Sequence, residues 1–322
     1  MQLPPPLRAA VDRALEGVSS SELTSAAQKL SDRYRAEVRD DTPHLANEQA
    51  ALAYLGTRLP ATYAAVRRSF EAIAVACPGF APATTLDAGA GPGTASWAAS
   101  DCWPTMSDAL LVESNATIRA LGDRLMAEAT PRVAWSGADL TNGLPGIAKR
   151  DLVTLAYVLD ELAPVARDTL VDRLWELTAG VLVVVEPGTP AGWQRILRAR
   201  ARLIEAGAAL VAPCPHARAC PLVEPDWCHF TARVARSRLH RTLKQADVPW
   251  EDEKFIYLAA TREAAPTAGS RVIAPPHRNS GRVTLKLCQP DGKAQSRLIT
   301  RREGDAFKQA RRRDWGDVFD FG

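Results

Sequence analysis

Apolar residues recur at helical spacing through the first quarter of the chain. Ser19 and Glu22 form a capping box, and Leu23 and Leu30 belong to the apolar face that comes after it. Two further helical stretches cover residues 50–59 and 61–75, with a proline between them. The pattern predicts a helical cap over residues 1–80, in which no chemistry is visible.

From residue 81 to residue 262 the pattern changes to short apolar runs separated by helix-compatible segments. This alternation is typical of a parallel sheet that is covered by helices on both faces. After the first run, the others lie at residues 108–112, 132–135, 151–156, 181–185 and 255–259. We therefore predict an α/β fold with a mostly parallel, Rossmann-like sheet, which binds its ligand beyond the carboxyl ends of the strands.

The last part of the chain, residues 263–322, is predicted to form a small and basic β appendage. Residues 282–288 and 294–300 read as a hairpin, and basic residues far outnumber acidic ones between residues 262 and 313. Just before the last sheet strand, residues 231–246 predict a helix with a basic side, formed by Arg233, Arg236, His240, Arg241 and Lys244. Such a surface is either a solvated face or a contact for phosphates.

A glycine-rich turn, LDAGAGPGT at residues 86–94, joins the first predicted strand to the next helix. Glycines let the backbone approach a ligand, and the free N–H groups at a helix start face negative charge. Glu113 ends the second strand about 20 residues after Gly93, where a carboxylate accepts both hydroxyls of a ribose. Asp139 ends the third strand and is expected to accept from an adenine amino group. The predicted cofactor-binding residues are Asp87, Gly89, Gly91, Gly93, Glu113 and Asp139.

Three cysteines lie in a proline-rich loop at residues 212–230. Cys214, Cys220 and Cys228 follow a C-x5-C-x7-C spacing in a stretch that is poor in helix and strand formers. Unpaired cysteines are usually buried as small apolar residues, but three in one irregular loop favour a metal site. The loop lacks the paired C-x2-C knuckles of common zinc folds, so the spacing alone does not identify the metal.

Cys288 is the best candidate for a fourth thiolate ligand. It ends a predicted strand and alternates with the apolar residues of that strand, so it points away from their face as a ligand does. Cys77 and Cys102 lie in apolar neighbourhoods, and His216 and His229 remain as substitute ligands. Four thiolates suit either a tetrahedral zinc or a four-iron cluster.

Composition narrows the class of protein. The chain has 322 residues, a net charge of +3 and 46% hydrophobic residues, which are ordinary values for a soluble globular protein. No segment approaches the roughly 20 apolar residues of a membrane span, and the first residues do not resemble a signal peptide. We therefore expect a cytoplasmic monomer without membrane contact. In that reducing compartment, cysteines act as ligands more often than as disulfides.

With these residues in view, the chain resembles a bacterial member of the mitochondrial small-ribosomal-subunit methyltransferase-like family. The resemblance covers most of the chain, and its marks are residues 86–94, 185–190, 212–222, 226–230 and 251–255. It implies a class I methyltransferase fold that binds S-adenosylmethionine, and association with the small ribosomal subunit or its rRNA. It also implies a [4Fe–4S] cluster, with zinc as the alternative metal, on Cys214, Cys220, Cys228 and Cys288.

After the fourth predicted strand, the sequence departs from the acceptor motif of N-methyltransferases. N-methyltransferases often carry an Asn/Asp-Pro-Pro-Tyr/Phe motif after the fourth strand, whereas residues 157–161 here read YVLDE. We therefore name no catalytic residue. The first hypothesis is a methyltransferase-like protein acting on rRNA or the assembling small subunit. The second is a catalytically inactive, RNA-binding assembly factor that retains the fold, and a small-molecule methyltransferase with structural zinc is a third.

Overall fold

A computed structural model describes residues 1–36, 47–244, 247–264 and 269–320 of the chain. Its N-terminal part contains the helices α1 (Pro5–Leu15), α2 (Ser20–Ala36), α3 (Glu48–Thr57) and α4 (Leu59–Ala76). Asn47 begins α3 by accepting a hydrogen bond from the backbone N–H of Ala50 at 2.9 Å. Tyr63 and Phe70 of α4 are fully buried in the same core as the central sheet. The predicted helical cap is therefore present and packs directly on the central sheet.

Within the described residues, the central sheet contains eight strands. They are β1 (Thr84–Ala88), β2 (Asp108–Val112), β3 (Arg132–Ser136), β4 (Arg150–Ala156), β5 (Thr178–Pro187), β6 (Ala209–Ala212), β7 (Phe230–Ala235) and β8 (Trp250–Thr261). The strand order is β3-β2-β1-β4-β5-β8-β6, and β7 also pairs with β8. Strands β1 to β5 are parallel, whereas β8 runs antiparallel to β5, β6 and β7. The predicted, mostly parallel α/β sheet is confirmed.

Helices connect strands of the central sheet. They are α5 (Thr94–Cys102), α6 (Ala116–Met126), α7 (Pro164–Glu176) and α8 (Pro190–Glu205), with a short helix α9 (Arg238–Leu243) between β7 and β8. The residues of β4 and β5 form near-continuous buried runs, as expected of strands covered on both faces. No helix among the described residues is long and apolar enough to cross a membrane.

In the part of the appendage that the structure describes, five short strands form a second sheet. It contains β9 (Ser270–Val272), β10 (His277–Asn279), β11 (Arg282–Cys288), β12 (Ala294–Thr300) and β13 (Val318–Phe319), with helix α10 (Asp305–Ala310) packed on it. Its separate core includes Val283, Leu285, Leu287 and Ile299. The predicted hairpin and its apolar face are therefore confirmed, and Cys288 is half-buried outside that core.

One predicted element is wrong. The segment expected to be a single helix over residues 231–246 forms the strand β7 and then the short helix α9, while residues 245 and 246 lie outside the described part of the chain. In β7 the side chains of Phe230, Ala232 and Val234 are buried and alternate with more exposed ones. Antiparallel pairing with β8 favours a strand over a helix here, because the alternation of a strand buries those three side chains.

Candidate cofactor cavity and metal site

The glycine turn after β1 has a shape that requires glycine. Gly89 has a φ of 69°, and a side chain there would meet Val158 at 2.5 Å. Gly93 has a φ of 87°, and a side chain there would meet Met126 and Leu111 at about 3 Å. These glycines therefore allow the chain to turn tightly against β4, β2 and α6 before α5 begins.

Asp87 holds this turn from inside. Its carboxylate accepts hydrogen bonds from the Ser96 backbone N–H at 3.2 Å, from the Ser96 hydroxyl at 3.0 Å and from the Thr154 hydroxyl at 2.8 Å. Burial raises the pKa of Asp87 to about 6, although these donors act in the opposite direction. Asp87 therefore joins the first turn of α5 to β4 and fixes the position of the glycines.

A cavity of about 200 Å³ opens beside the turn, at the carboxyl ends of β1, β2 and β4. Of the six predicted cofactor-binding residues, the one that does not line it is Gly93, which packs against the core instead. The structure brings the other five together around the cavity, namely Asp87, Gly89, Gly91, Glu113 and Asp139. Open α/β sheets bind ligands at this edge.

The two acidic residues at the cavity edge already contact the backbone. Glu113 accepts from the N–H of Gly91 at 3.1 Å and from that of Asn115 at 2.8 Å, so it bridges the glycine turn and the start of α6. Asp139 accepts from the N–H and the hydroxyl of Thr141 at 2.8 and 2.7 Å. Both carboxylates are thus held in place at the cavity wall by short local bonds.

Two tyrosines that the sequence pattern did not single out as site residues also line the cavity. Tyr54 of α3 is 3.3 Å from the Thr94 hydroxyl, which brings the helical cap over the glycine turn. Tyr157 follows β4 with a φ of 60°, and its hydroxyl donates to Glu253 at 3.2 Å. Arg58 holds Glu253 through two hydrogen bonds of 2.9 and 3.1 Å. The positive φ of a bulky residue is the sign of a constrained position beside a site.

A buried carboxylate orders the segment after β4. Glu186, at the end of β5, is fully buried, pairs with Arg195 and accepts from the Leu159 N–H at 3.1 Å. Burial raises the pKa of Glu186 to about 7, against the opposing effect of Arg195. The Trp227 indole donates to the Gly188 carbonyl at 3.0 Å, so the cysteine-rich loop is attached to the same edge of the sheet.

The cysteine-rich loop and β11 together enclose a small cavity of about 30 Å³. It is lined by all four cysteines predicted as ligands, Cys214, Cys220, Cys228 and Cys288, and by His216. Burial raises the pKa of the Cys288 thiol to about 12 and also raises that of Cys214. Burial and the neighbouring cysteines raise the pKa of Cys228 well above its usual value. The Cys288 sulfur lies 3.5 Å from the His216 Nε2.

The remaining candidates lie elsewhere. Cys77 and Cys102 pack against the main core and do not line this cavity. His229 stacks on Trp227 with ring centres 5.1 Å apart and contacts Trp315 edge-on at 4.8 Å. In the described ranges of the chain, no three His, Cys, Asp or Glu side chains are arranged to hold a single metal ion.

The strand order, with β8 antiparallel between β5 and β6, and the glycine turn after β1 define a class I methyltransferase fold. The family model described as mitochondrial small ribosomal subunit Rsm22 matches residues 48–320. The chain belongs to this family.

Curated relatives extend over most of this chain. It is 29% identical to the human ribosome assembly protein METTL17, mitochondrial, over 94% of this chain and 70% of that protein. It is 24% identical to the Schizosaccharomyces pombe Rsm22-cox11 tandem proteins 1 and 2, mitochondrial, over 88% of this chain and 45% of each of those proteins. The chain thus spans under half the length of the yeast relatives.

Two solved structures illustrate a distant similarity to the chain. An O-methyltransferase family protein from Burkholderia thailandensis gives a TM-score of 0.45 at 15% identity, over 76% of this chain and 71% of that one. Magnesium protoporphyrin IX methyltransferase from Synechocystis, with bound SAH, gives a TM-score of 0.42 at 14% identity. The match covers 75% of this chain and 100% of that one. Similarities at this level say nothing about the ligand or substrate of this chain.

Proposed function

We propose that this protein is an S-adenosylmethionine-dependent, methyltransferase-like protein that acts on rRNA or the assembling small ribosomal subunit and carries a [4Fe–4S] cluster. The observation that carries the proposal is the cavity at the carboxyl edge of β1 and β2, which Gly89, Gly91, Glu113 and Asp139 line together. The names of the family and of its human relative support the ribosomal partner.

The cavity offers a partner for each polar part of the cofactor. The backbone of the glycine turn would hold the methionine part, Glu113 would accept the ribose hydroxyls, and Asp139 would accept from the adenine amino group. Tyr54 and Tyr157 would shield the reacting region from water, since both line the cavity beneath the helical cap. S-adenosylmethionine, when bound, supplies an electrophilic methyl group. A bound cofactor would replace part of the local contacts of Glu113.

Calorimetry with S-adenosylmethionine and with S-adenosylhomocysteine tests the cofactor site. Glu113→Ala should weaken binding by about 1.5–3 kcal/mol, since it removes a charge-assisted contact. Asp123→Ala, an exposed acid on α6, is the control and should bind like the unchanged chain. If the intact, metal-loaded protein binds neither compound, the cofactor proposal is wrong.

Four cysteines around one cavity suit a metal centre. A tetrahedral zinc draws four sulfurs to within about 2.3 Å of one point, whereas a four-iron cluster binds each thiolate through a different iron. We propose the [4Fe–4S] cluster on Cys214, Cys220, Cys228 and Cys288, with zinc as the alternative, because the resemblance of the sequence to its family implies the cluster.

Anaerobic purification with iron, sulfide and zinc counts and a visible spectrum tests the metal. About four irons and four sulfides per chain are expected for one cluster. Stoichiometric zinc without iron would keep the site and contradict the cluster. Cys77→Ser is the matched control, because Cys77 does not line the cavity and its loss should leave the counts unchanged.

The second candidate function is a catalytically inactive, RNA-binding assembly factor that retains the fold. It is favoured by Tyr157, which lies buried after β4 in contact with Glu253, where N-methyltransferases often present their acceptor motif. Incubation of the loaded protein with labelled S-adenosylmethionine and small-subunit rRNA separates the two functions. Label in the RNA supports the enzyme, whereas binding of both ligands without label supports the assembly factor.

The proposal also covers the oligomeric state, the location and the partner of the protein. We propose a monomer that works in the cytoplasm, without membrane contact, on the small subunit or its rRNA. The exposed arginines of the appendage, including Arg301, Arg302, Arg311 and Arg312, would contact phosphates. Size-exclusion chromatography tests the monomeric state, and a dimer in solution would contradict it. Cell fractionation tests the cytoplasmic location, and recovery with membranes would contradict it.

A further inference from the structure

Two arginines are buried beside the cysteine cavity. Arg200 of α8 and Arg271 of β9 both line it, and each side chain is only 5% exposed. Arg200 donates to the carbonyls of His216 and Arg218, both at 2.7 Å. Arg271 donates to the carbonyl of Pro213 at 2.9 Å and to that of Gly316 at 2.8 Å. Each guanidinium therefore donates to backbone carbonyls in segments that contain the cysteines or lie next to them.

Neither arginine forms an ion pair with a carboxylate within the ranges that the structure describes. Carbonyl oxygens satisfy N–H groups but do not neutralise a charge, and Arg200 Nε has no hydrogen-bond partner in the described structure. An isolated buried charge is costly, and an arginine does not escape the cost by losing its proton. Two uncompensated positive charges beside one cavity thus indicate that the cavity holds an anion.

A tetrathiolate metal centre has the required charge. Four thiolates on a [4Fe–4S]2+ core carry two negative charges in total, which equals the charge of the two guanidinium groups. Arg218 and Arg233, two other arginines close to these cysteines in the sequence, are engaged elsewhere. Arg233 pairs on the surface with Asp252, and Arg218 donates to the Asp291 carbonyl.

We propose that Arg200 and Arg271 are the counter-charges of this metal centre, which retain it in the cavity and raise its reduction potential. The proposal rests on the metal centre of the proposed function. Reduction takes one electron from an external one-electron donor, moves no proton, and converts the 2+ core to the 1+ core. The added negative charge is stabilised by the two nearby positive charges, so their removal makes reduction harder.

A neutral and a charged replacement separate charge from hydrogen bonding. Arg200→Gln and Arg271→Gln remove the charge and keep a donor, whereas Arg200→Lys and Arg271→Lys keep the charge without the guanidinium geometry. If the arginines only tether the loop, both replacements should behave alike. If they act through charge, the lysine variants should resemble the unchanged chain. Arg233→Gln is the control, since that side chain lies on the surface.

The test uses the full chain, purified without oxygen. Each glutamine variant should lose its iron to a chelator about 10- to 100-fold faster, and its midpoint potential in a dithionite titration should shift to more negative values. The lysine variants and Arg233→Gln should match the unchanged chain in both. If the glutamine variants keep the iron-release rate and the midpoint potential of the unchanged chain, the inference is wrong. It is also wrong if the glutamine and lysine variants both lose iron faster. If the glutamine variants do not fold, the lysine variants decide it in the same two measurements.

Failure of the proposed function looks different. If the unchanged chain carries zinc, the cluster is wrong, and the counter-charge role is then tested by chelator competition for zinc with the same variants. A tetrathiolate zinc also carries two negative charges, so the expected order of the variants is the same. If the unchanged chain binds no metal at all, the metal centre and the inference both fail.

Discussion

Asp87 is the residue on which the glycine turn depends. It is almost fully buried and accepts three hydrogen bonds that join α5 to β4. Its pKa is raised to about 6 from 3.8 because burial disfavours the charged form. The same side chain therefore links the shape of the cofactor cavity to the pH of the medium.

Asp87→Asn should flatten the pH dependence of stability. The folded state binds the Asp87 proton more tightly than the unfolded chain, so its contribution to stability is complete below pH 3.8 and is lost as the pH rises through 6. Over this window the unchanged chain should lose up to about 3 kcal/mol from this group. Urea unfolding of both chains at several pH values measures the difference. Asp123→Asn is the control, and parallel curves for Asp87→Asn and the unchanged chain would contradict the prediction.

Some residues of the two cavities could be predicted from the sequence, and others could not. The glycines, Glu113 and the cysteines are set by local spacing, and the structure brings most of them to two cavities. Tyr54, Arg200 and Arg271 are invisible to such spacing, because their positions depend on contacts between distant segments. The sequence does not distinguish a buried arginine from a surface one, and only the fold shows that Arg200 and Arg271 pair with no carboxylate of the described residues.

At the scale of elements, the wrongly predicted helix over residues 231–246 is explained by strand β8. It pairs with β5 along one side and with β6 and β7 along the other. Through these pairs, Arg236 at the end of β7 reaches Glu251, and Arg233 reaches Asp252. The parallel strands were visible as local apolar runs. The pairing of β7 is not local, and its alternation is too short to outweigh a helix-compatible composition.

The basic residues near β7 therefore stabilise the fold. Arg236→Ala should lower the free energy of unfolding by about 1.5–3 kcal/mol, because it removes a half-buried hydrogen bond to the charged Glu251. Lys244 remains beside Glu251 and limits the loss. Denaturant unfolding gives the value. Arg238→Ala, on the exposed side of α9, should change it by less than about 0.5 kcal/mol. Equal effects of the two variants would show that the ion pair contributes nothing.

At the scale of the whole molecule, the appendage is fastened to the sheet domain around the cysteine cavity. Arg271 donates to Pro213, Lys286 pairs with Asp226, and Trp315 contacts His229. Cys288 adds a further link if it binds the same metal as the loop, because metal binding contributes to the free energy of folding. The two main cores are separate clusters, and a third small cluster of Trp193, Leu222 and Ile273 joins α8 and the cysteine-rich loop to the appendage.

Cys288→Ser should therefore lower the iron content and expose the appendage to proteases. Loss of one thiolate weakens the centre, and loss of the centre leaves two guanidinium charges unbalanced beside it. Iron counts and limited proteolysis with mass spectrometry measure both effects. Cys102→Ser should cause neither, since Cys102 lies outside the cavity. Full iron content in Cys288→Ser would remove this residue from the ligand set.

RNA binding should depend on the appendage more than on β7. Replacing Arg301, Arg302, Arg311 and Arg312 by Glu should weaken binding to rRNA fragments and reduce its dependence on salt by about one unit of slope per lost phosphate contact. Affinity measured at several salt concentrations gives the slope. Arg124→Glu on α6 is the control for charge reversal at one exposed site outside the appendage, and Arg301→Glu alone is compared with it. A slope that stays unchanged in the fourfold variant would leave these arginines as a solvated surface.

The order of the cysteines along the chain has a consequence for synthesis on the ribosome. Cys214, Cys220 and Cys228 leave the ribosome before β8, and Cys288 emerges about 60 residues after Cys228. The central sheet is complete at the end of β8, before the fourth thiol exists. During that interval the three earlier thiols are exposed to oxidation and to other metals. A nascent chain stopped before residue 288 contains every described strand of the central sheet and lacks the fourth thiol, so a metal centre on all four cysteines would be completed only after that point in translation.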